Sequence, residues 1–297
     1  MKSADTHTHI QLRNILFATD FSHAANATAP YVASLAKGFG AKLYALHVRP
    51  PIINPMTPPE SWPELEAAAE VVAERQRHQL LGTFAGIQLE VLIKEGDLWS
   101  NLRDAVEENK IDLIVIGTRG RSGISKFLLG SSAEEILREA SCPVLTIGPH
   151  CQARSKPSGQ FTRILMAADS SPDSAAAARY AISLAEEFQA HLILLHVIEE
   201  PKRGDQVRPG DLAESSTNLL RSLIPVGAEL QFVPDYVVER GVTADKILEI
   251  AATHEADLIV LGVRRATGFP GAATHLPTSI AHRIVSHATC PVLTARG

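Results

Sequence analysis

Asp112-Leu113-Ile114-Val115-Ile116-Gly117, the loop Thr118–Gly130 (TRGRSGISKFLLG) and then Ser131-Ser132-Ala133-Glu134-Glu135-Ile136-Leu137 decide how this chain is read. Leu113–Ile116 is an unbroken run of branched apolar residues. Alternation would mark a half-exposed strand, whereas a continuous run marks a central parallel strand covered on both faces. The run stops at Gly117, and Gly120, Gly123 and Gly130 follow within a basic, hydroxyl-rich loop. Ser131 or Ser132 then stands before a helical pattern, with Glu134 or Glu135 three positions later as a capping-box partner. A strand, a glycine-rich loop and a fresh helix amino terminus together form a natural anion cradle. Loop amides converge, the helix dipole favours negative charge, and glycine lets the backbone come close.

Outward from this stretch, the chain repeats itself. Ile15-Leu16-Phe17-Ala18-Thr19-Asp20 returns as Ile164-Leu165-Met166-Ala167-Ala168-Asp169, and Leu46-His47-Val48 as Leu195-His196-Val197. Asp112–Gly117 returns as Asp257–Gly262, and Cys142–Thr146 as Cys290–Thr294. Four matches in the same order at nearly constant spacing mark a duplicated domain. At 297 residues the chain has room for two domains. The expected division is 1–149, a linker 150–162 rich in Pro, Ser and Gly, and 163–297.

Within the first copy, strands are expected at Asn14–Thr19, Lys42–Val48, Gln88–Lys94, Leu113–Ile116 and Pro143–Ile147. Helices are expected at Ser22–Phe39, Glu64–Phe84, Leu98–Asn109 and after Gly130. Prolines at 50, 51, 55, 58, 59 and 63 make the intervening segment a long loop, with Met56 and Trp62 flanking it. Strands alternating with helices give an α/β fold with an open five-stranded parallel sheet and right-handed crossovers. The last strand of each copy would leave a bare sheet edge, and such edges are usually paired or covered.

The spacing of Gly117, two residues, Gly120, nine residues and Gly130-Ser131 resembles the nucleotide-binding signature of the universal stress protein family. Gly117–Ile147 is similar to that family almost throughout, down to Ser141-Cys142-Pro143-Val144-Leu145. The duplication makes this chain resemble the tandem, two-domain form. The resemblance implies two Rossmann-like domains of the adenine nucleotide alpha hydrolase-like type, paired through their last strands as an intramolecular pseudo-dimer, with a further homodimer left open. It also implies an adenine nucleotide, ATP, held with Mg2+ or Mn2+.

Mapped onto this sequence, Ala18, Thr19 and Asp20 come from the end of the first strand, Val48 from the second, and Ile116 and Gly117 from the central one. Asp20 would meet the ribose or adenine, and the backbone at Val48 the adenine edge. Gly117, Gly120, Gly130, Ser131 and Ser132 would cradle phosphates. In open parallel sheets, ligands do lie outside the carboxyl ends of the strands.

Plainer roles compete. Asp20 and Ser22 can simply end a strand and cap a helix. Arg119, Arg121 and Lys126 suit solvent as well as phosphate. His47 and His196, at equivalent positions, suit packing or a hydrogen bond to the neighbouring strand better than metal ligation. His7 and His9 are expected to be disordered. No metal-ligating or catalytic group is assigned.

The second copy departs from the pattern. Asp169, Val197 and Gly262 persist, but Arg265 replaces the second glycine, and Pro277-Thr278-Ser279 aligns with Leu129-Gly130-Ser131. Proline removes an amide donor and a side chain blocks close approach. A degenerate second site is expected, adenosine-sized at most.

A hydrophobic fraction of 45% and a charged fraction of 21% describe a globular protein. A net charge of −5 with pI ≈ 6.2 and scattered cations argue against nucleic acid and membrane surfaces as partners. Three cysteines, an odd number, do not build a disulfide framework. Cys142 and Cys290 read as strand residues and Cys151 as a free thiol in the linker. No apolar run approaches the roughly 18 residues of a membrane span. MKSADTHTHI does not read as a signal peptide, so the expected compartment is the cytoplasm. Three functions fit: a nucleotide-binding stress-response regulator, a slow ATPase, and a scaffold without nucleotide. The absence of GxxxxGK[ST] weighs against phosphoryl-transfer chemistry.

Overall fold

The computed structural model describes residues 9–52, 57–118, 130–148, 150–151, 159–199, 209–264 and 279–297. The first half runs β1 (Asn14–Ala18), α1 (His23–Gly38), β2 (Lys42–Arg49), α2 (Trp62–Thr83), β3 (Leu89–Glu95), α3 (Leu98–Glu108), β4 (Leu113–Gly117), α4 (Ser131–Glu139) and β5 (Val144–Ile147). The second half repeats the order with β6 (Arg163–Ala167), α5 (Pro172–Glu187), β7 (His191–Ile198), α6 (Pro209–Ser222), β8 (Asp235–Arg240), α7 (Thr243–Thr253), β9 (Leu258–Gly262), α8 (Ile280–His287) and β10 (Val292–Ala295).

The described strands form one ten-stranded sheet in the order β3-β2-β1-β4-β5-β10-β9-β6-β7-β8. Each half contributes five parallel strands, as expected. The halves meet where β5 and β10 pair antiparallel, with Leu145 opposite Leu293 and each edge covering the other. The central runs Leu113–Ile116 and Leu258–Val260 are buried because helices lie on both faces of the sheet.

One apolar layer joins α1, α2, α5 and α6 to the sheet, and the other joins α3, α4, α7 and α8. Both layers run through the seam from one half into the other. The core therefore belongs to the pair of halves.

Asp112 and Asp257 do more than precede a strand. The Asp112 carboxylate accepts from the amides of Arg13 (2.8 Å) and Asn14 (2.9 Å), and Asp257 accepts from those of Thr162 and Arg163. Each aspartate thus fastens the start of the strand next to its own.

Several expectations are corrected. Ser131 and Ser132 are the first two residues of α4, and the N-cap is Gly130, with no side-chain cap bond. The capping box is therefore not formed. Cys142 and Cys290 lie just before β5 and β10, which begin at Val144 and Val292.

Cys151 is a free thiol, but it is 1% exposed, and burial pushes its pKa up to about 12. It packs in the same layer as Phe161, so both ends of the interhalf segment are built into the core. His9 is ordered and meets Glu186 of the second half at 2.9 Å, while His7 lies outside the described residues. Trp62 opens α2, and its indole donates to the carbonyl of Thr57 at 3.2 Å; Met56 lies outside the described residues.

Candidate functional site

In the first half, β1 lies between β2 and β4, and the connections from its two neighbours diverge at their carboxyl ends. Ala18 closes β1 level with Leu46 on one side and Ile116 on the other. The Thr19 amide donates to the carbonyl of Leu46 at 2.9 Å, and the Thr19 carbonyl meets Nδ1 of His47 at 2.8 Å. His196 makes the same contact with Ala168. The paired histidines therefore hold the strand ends in register. Ala18, Thr19, Asp20, Val48, Ile116 and Gly117 all reach this end of the sheet.

Asp20 accepts from the amide of Ser22 at 2.9 Å, and Ser22 caps α1 through the amide of Ala25 at 3.1 Å. The strand-ending, helix-capping role is thus present. Phe21 between them adopts φ +59° and sets its ring edge-on to His47, centroids 5.0 Å apart.

The described residues on either side of 119–129 meet: the Gly130 amide donates to the Thr118 carbonyl at 3.3 Å. Gly120 and the basic residues Arg119, Arg121 and Lys126 lie outside the described residues. Gly130, Ser131 and Ser132 are exposed at the amino end of α4.

The glycines here have different reasons. A Cβ on Gly117 would sit 3.3 Å from the carbonyl oxygen of Ala24, and one on Gly262 would sit 2.5 Å from the carbonyl carbon of Asp173. Both positions let the first turn of a helix press on a strand end. Gly130 has φ −63° and ψ 145°, which any residue adopts, and a Cβ there would meet only Thr118 O, at 3.5 Å. The fold of the described residues does not require glycine at 130.

In the second half, Asp169, Val197 and Gly262 line a cleft of about 630 Å³. Its walls include Ile247 of α7 and Ile280 of α8, and also Glu134, Leu137 and Arg138 of α4, from the other half. Arg296 lines it too. Its guanidinium donates to the carbonyls of Leu137, Arg138 (2.8 Å) and Ala140, closing the carboxyl end of α4.

Asp169 is held by its own half. Ser174 Oγ donates to its carboxylate at 2.6 Å, and the Ser171 amide does so at 2.9 Å. Burial works against the charged form, yet these bonds, with the nearby Arg264 charge, leave the pKa of Asp169 below the usual carboxylate range. The residue matching Ser174 in the first half is Ala25, which offers Asp20 no hydroxyl.

The ends of α4 and α8 also differ. Ser279 is the N-cap of α8, and its Oγ accepts from the amide of His282 at 3.1 Å. The C-caps Ala140 and Ala288 and the strand starts Val144 and Val292 keep one spacing, which sets Ser279 level with Ser131 as expected, so α8 begins one residue later than α4 and takes Ser279 as its cap; Pro277 and Thr278 lie outside the described residues. Comparing Ser174 with Ala25 in the repeat would have flagged the first asymmetry. Nothing local in sequence flags Arg296 or the wall formed by α4.

Among the described residues, no group of three or more His, Cys, Asp or Glu is placed to hold a metal ion, and no helix is long and apolar enough to cross a membrane.

A mostly parallel sheet flanked by helices on both faces, with a cleft at the strand ends of its second half, defines a tandem Rossmann-like protein. The universal stress protein family model matches it twice, over residues 11–148 and 160–296, and the chain belongs to that family. A universal stress protein of Mycolicibacterium smegmatis is 27% identical over 95% of this chain and 96% of its own length. One from Methanocaldococcus jannaschii is 32% identical over 46% of this chain and 81% of its own. Among solved structures, a universal stress protein from Archaeoglobus fulgidus shares the fold over 97% of this chain and 98% of its own, with a TM-score of 0.71 and 22% identity.

Proposed function

We propose that this universal stress protein binds an adenine nucleotide, ATP, in its first domain (1–149), and that the bound state changes its shape or its contact with a protein partner. The second domain (163–297) is joined to the first by 150–162. The nucleotide lies across the carboxyl ends of β1, β2 and β4. Asp20 faces the ribose or base, Val48 the adenine edge, and Gly117, Gly120, Gly130, Ser131 and Ser132 the phosphates. Mg2+ or Mn2+ bound with the phosphates offsets the repulsion from Glu134 and Glu135.

One observation supports this most. Gly130 starts α4 without a side-chain cap, in a backbone conformation that does not call for glycine. The bare amides of a helix amino terminus, left open by the smallest residue, suit an oxyanion. The reading is of binding rather than turnover, because the sequence carries no GxxxxGK[ST] motif to set a lysine against the β- and γ-phosphates.

Calorimetric titration of the full chain with ATP and Mg2+ tests this. Saturable binding is expected in the native protein and is expected to vanish in Gly130→Val with the circular dichroism spectrum unchanged. Binding that survives in Gly130→Val would place the nucleotide elsewhere. Phosphate release above that of a Gly117→Val/Gly130→Val control would make the protein an ATPase.

A further inference from the structure

Of the 22 residues of α2, only Ala73 and Leu80 are buried. From Trp62 to Val72 the helix buries nothing, and Trp62, Leu65, Val71 and Val72 are between 36% and 62% exposed. Leu65, Ala68 and Val72 recur at i, i+3 and i+7, with Trp62 one turn earlier, so they share one face. That face lies beside the one that Ala73 and Leu80 turn to the sheet. A surface helix ordinarily has a single apolar stripe and commits it to its own core; α2 carries a second.

Other contacts already fix the helix. Arg49 Nη1 donates to the carbonyl of Ala69 at 3.2 Å, and Arg77 Nη1 to that of Val91 at 3.4 Å. Phe84, just past the helix, meets Phe17 edge-on with centroids 5.8 Å apart. The outer face is therefore not spent on holding α2 in place. The matching helix of the second half lacks such a face: in α6, Leu212 and Leu219 are half-buried and Leu220 is buried. Exposed apolar residues gathered on one side of a helix mark an interaction surface.

Charge identifies what covers it. Between Arg49 and Arg75 the chain carries Glu60, Glu64, Glu66, Glu70 and Glu74 and no lysine or arginine, and all five are exposed. Glu74 is taken up by Arg77 at 3.3 Å and His78 at 3.2 Å, while the other four form no ion pair among the described residues. The same face of a second copy would set glutamates against glutamates, which opposes that pairing. We propose that α2 is a docking surface for another protein, whose amphipathic helix lays apolar residues on Trp62, Leu65 and Val72 and answers the glutamates with lysine or arginine. This goes beyond the nucleotide reading and stands without it.

Trp62 is the reporter for the test. The chain has two tryptophans, and Trp99→Phe leaves Trp62 alone. The probe is a short helical peptide of leucine and lysine, with leucines at i, i+3 and i+7, and a copy with glutamate for lysine is the control. In the full chain without nucleotide, the lysine peptide is expected to shift Trp62 emission to the blue and to saturate. In that background Leu65→Ser/Val72→Ser is expected to weaken binding roughly tenfold, because apolar anchors dominate such contacts. Glu64→Gln/Glu66→Gln/Glu70→Gln is expected to weaken it several-fold, with the circular dichroism spectrum unchanged in both. Val72→Ser alone reads in the same direction should the double variant not fold. The proposal is overturned if the lysine peptide fails to bind, if its binding is indifferent to a folded apolar variant, or if the glutamate peptide binds as well. It is also overturned, in favour of a second copy, if sedimentation shows the free chain to be a dimer that Leu65→Ser/Val72→Ser separates.

Discussion

Thr146 donates its hydroxyl to the carbonyl of Val292 at 2.9 Å, and Thr294 returns the bond to the carbonyl of Val144 at 3.3 Å. The two threonines are buried on facing strands, so side-chain bonds reinforce the antiparallel ladder between β5 and β10 on either side of the Leu145–Leu293 pair.

Thr146→Val keeps the shape of the side chain and removes its hydroxyl. The Val292 carbonyl keeps its place but loses this donor, which costs about 1 kcal/mol in stability. Urea unfolding is expected to show a lower midpoint with an unchanged slope, and the double variant with Thr294→Val is expected to lose about twice as much. No change in either would mean that backbone pairing alone holds the seam.

Arg296 holds three carbonyls at the end of α4, and hydrogen bonds to a charged donor contribute about 1.5–3 kcal/mol. Arg296→Ala is expected to destabilise the protein within that range. Hydrogen exchange should localise the loss to α4 and the cleft it walls. Uniform loss of protection would instead mean that the whole seam has loosened.

Exchanging the caps separates stability from binding. Gly130→Ser supplies α4 with the acceptor that Ser279 gives α8, a gain of a few tenths of a kcal/mol. The variant is expected to melt slightly higher without ligand and to bind ATP several-fold more weakly. A thermal shift assay with and without ATP reads both.

Asp169 gives a pH-dependent marker. Its folded pKa lies below the ordinary value, so its contribution to stability is present above the unfolded pKa and fades as pH falls through the folded one. Ser174→Ala removes one of the bonds responsible. A carboxyl NMR titration is expected to show the Asp169 midpoint rising toward the usual range. An unmoved midpoint would assign the shift to Ser171 and Arg264.

How legible each part was follows from the range of the interaction that sets it. Leu113–Ile116 and Leu258–Val260 announced buried central strands because a sheet covered on both faces needs no polar positions, a local property. The glycines after β4 raised the expectation of a cradle, and the N-cap at its far end was expected at Ser131 or Ser132 but lies at Gly130. Whether Gly130 or Ser131 is the N-cap depends on where the chain rejoins Thr118, across a loop rather than between neighbours. Cys151 and His9 were misjudged for the same reason. Cys151 is buried beside the core it shares with Phe161, and His9 meets Glu186, distant in sequence.

By itself the sequence determined the duplicated α/β plan, the order of strands and helices, and membership of the family, because periodicity and repetition are properties of neighbours along the chain. Only the tertiary structure decided that the two cores are one on each face of the sheet, and that α4 of one half walls a cleft in the other. Those facts depend on an antiparallel meeting of two short strands nearly 150 residues apart, with Val292 level with Thr146, and no local pattern encodes which side chains such a meeting brings together.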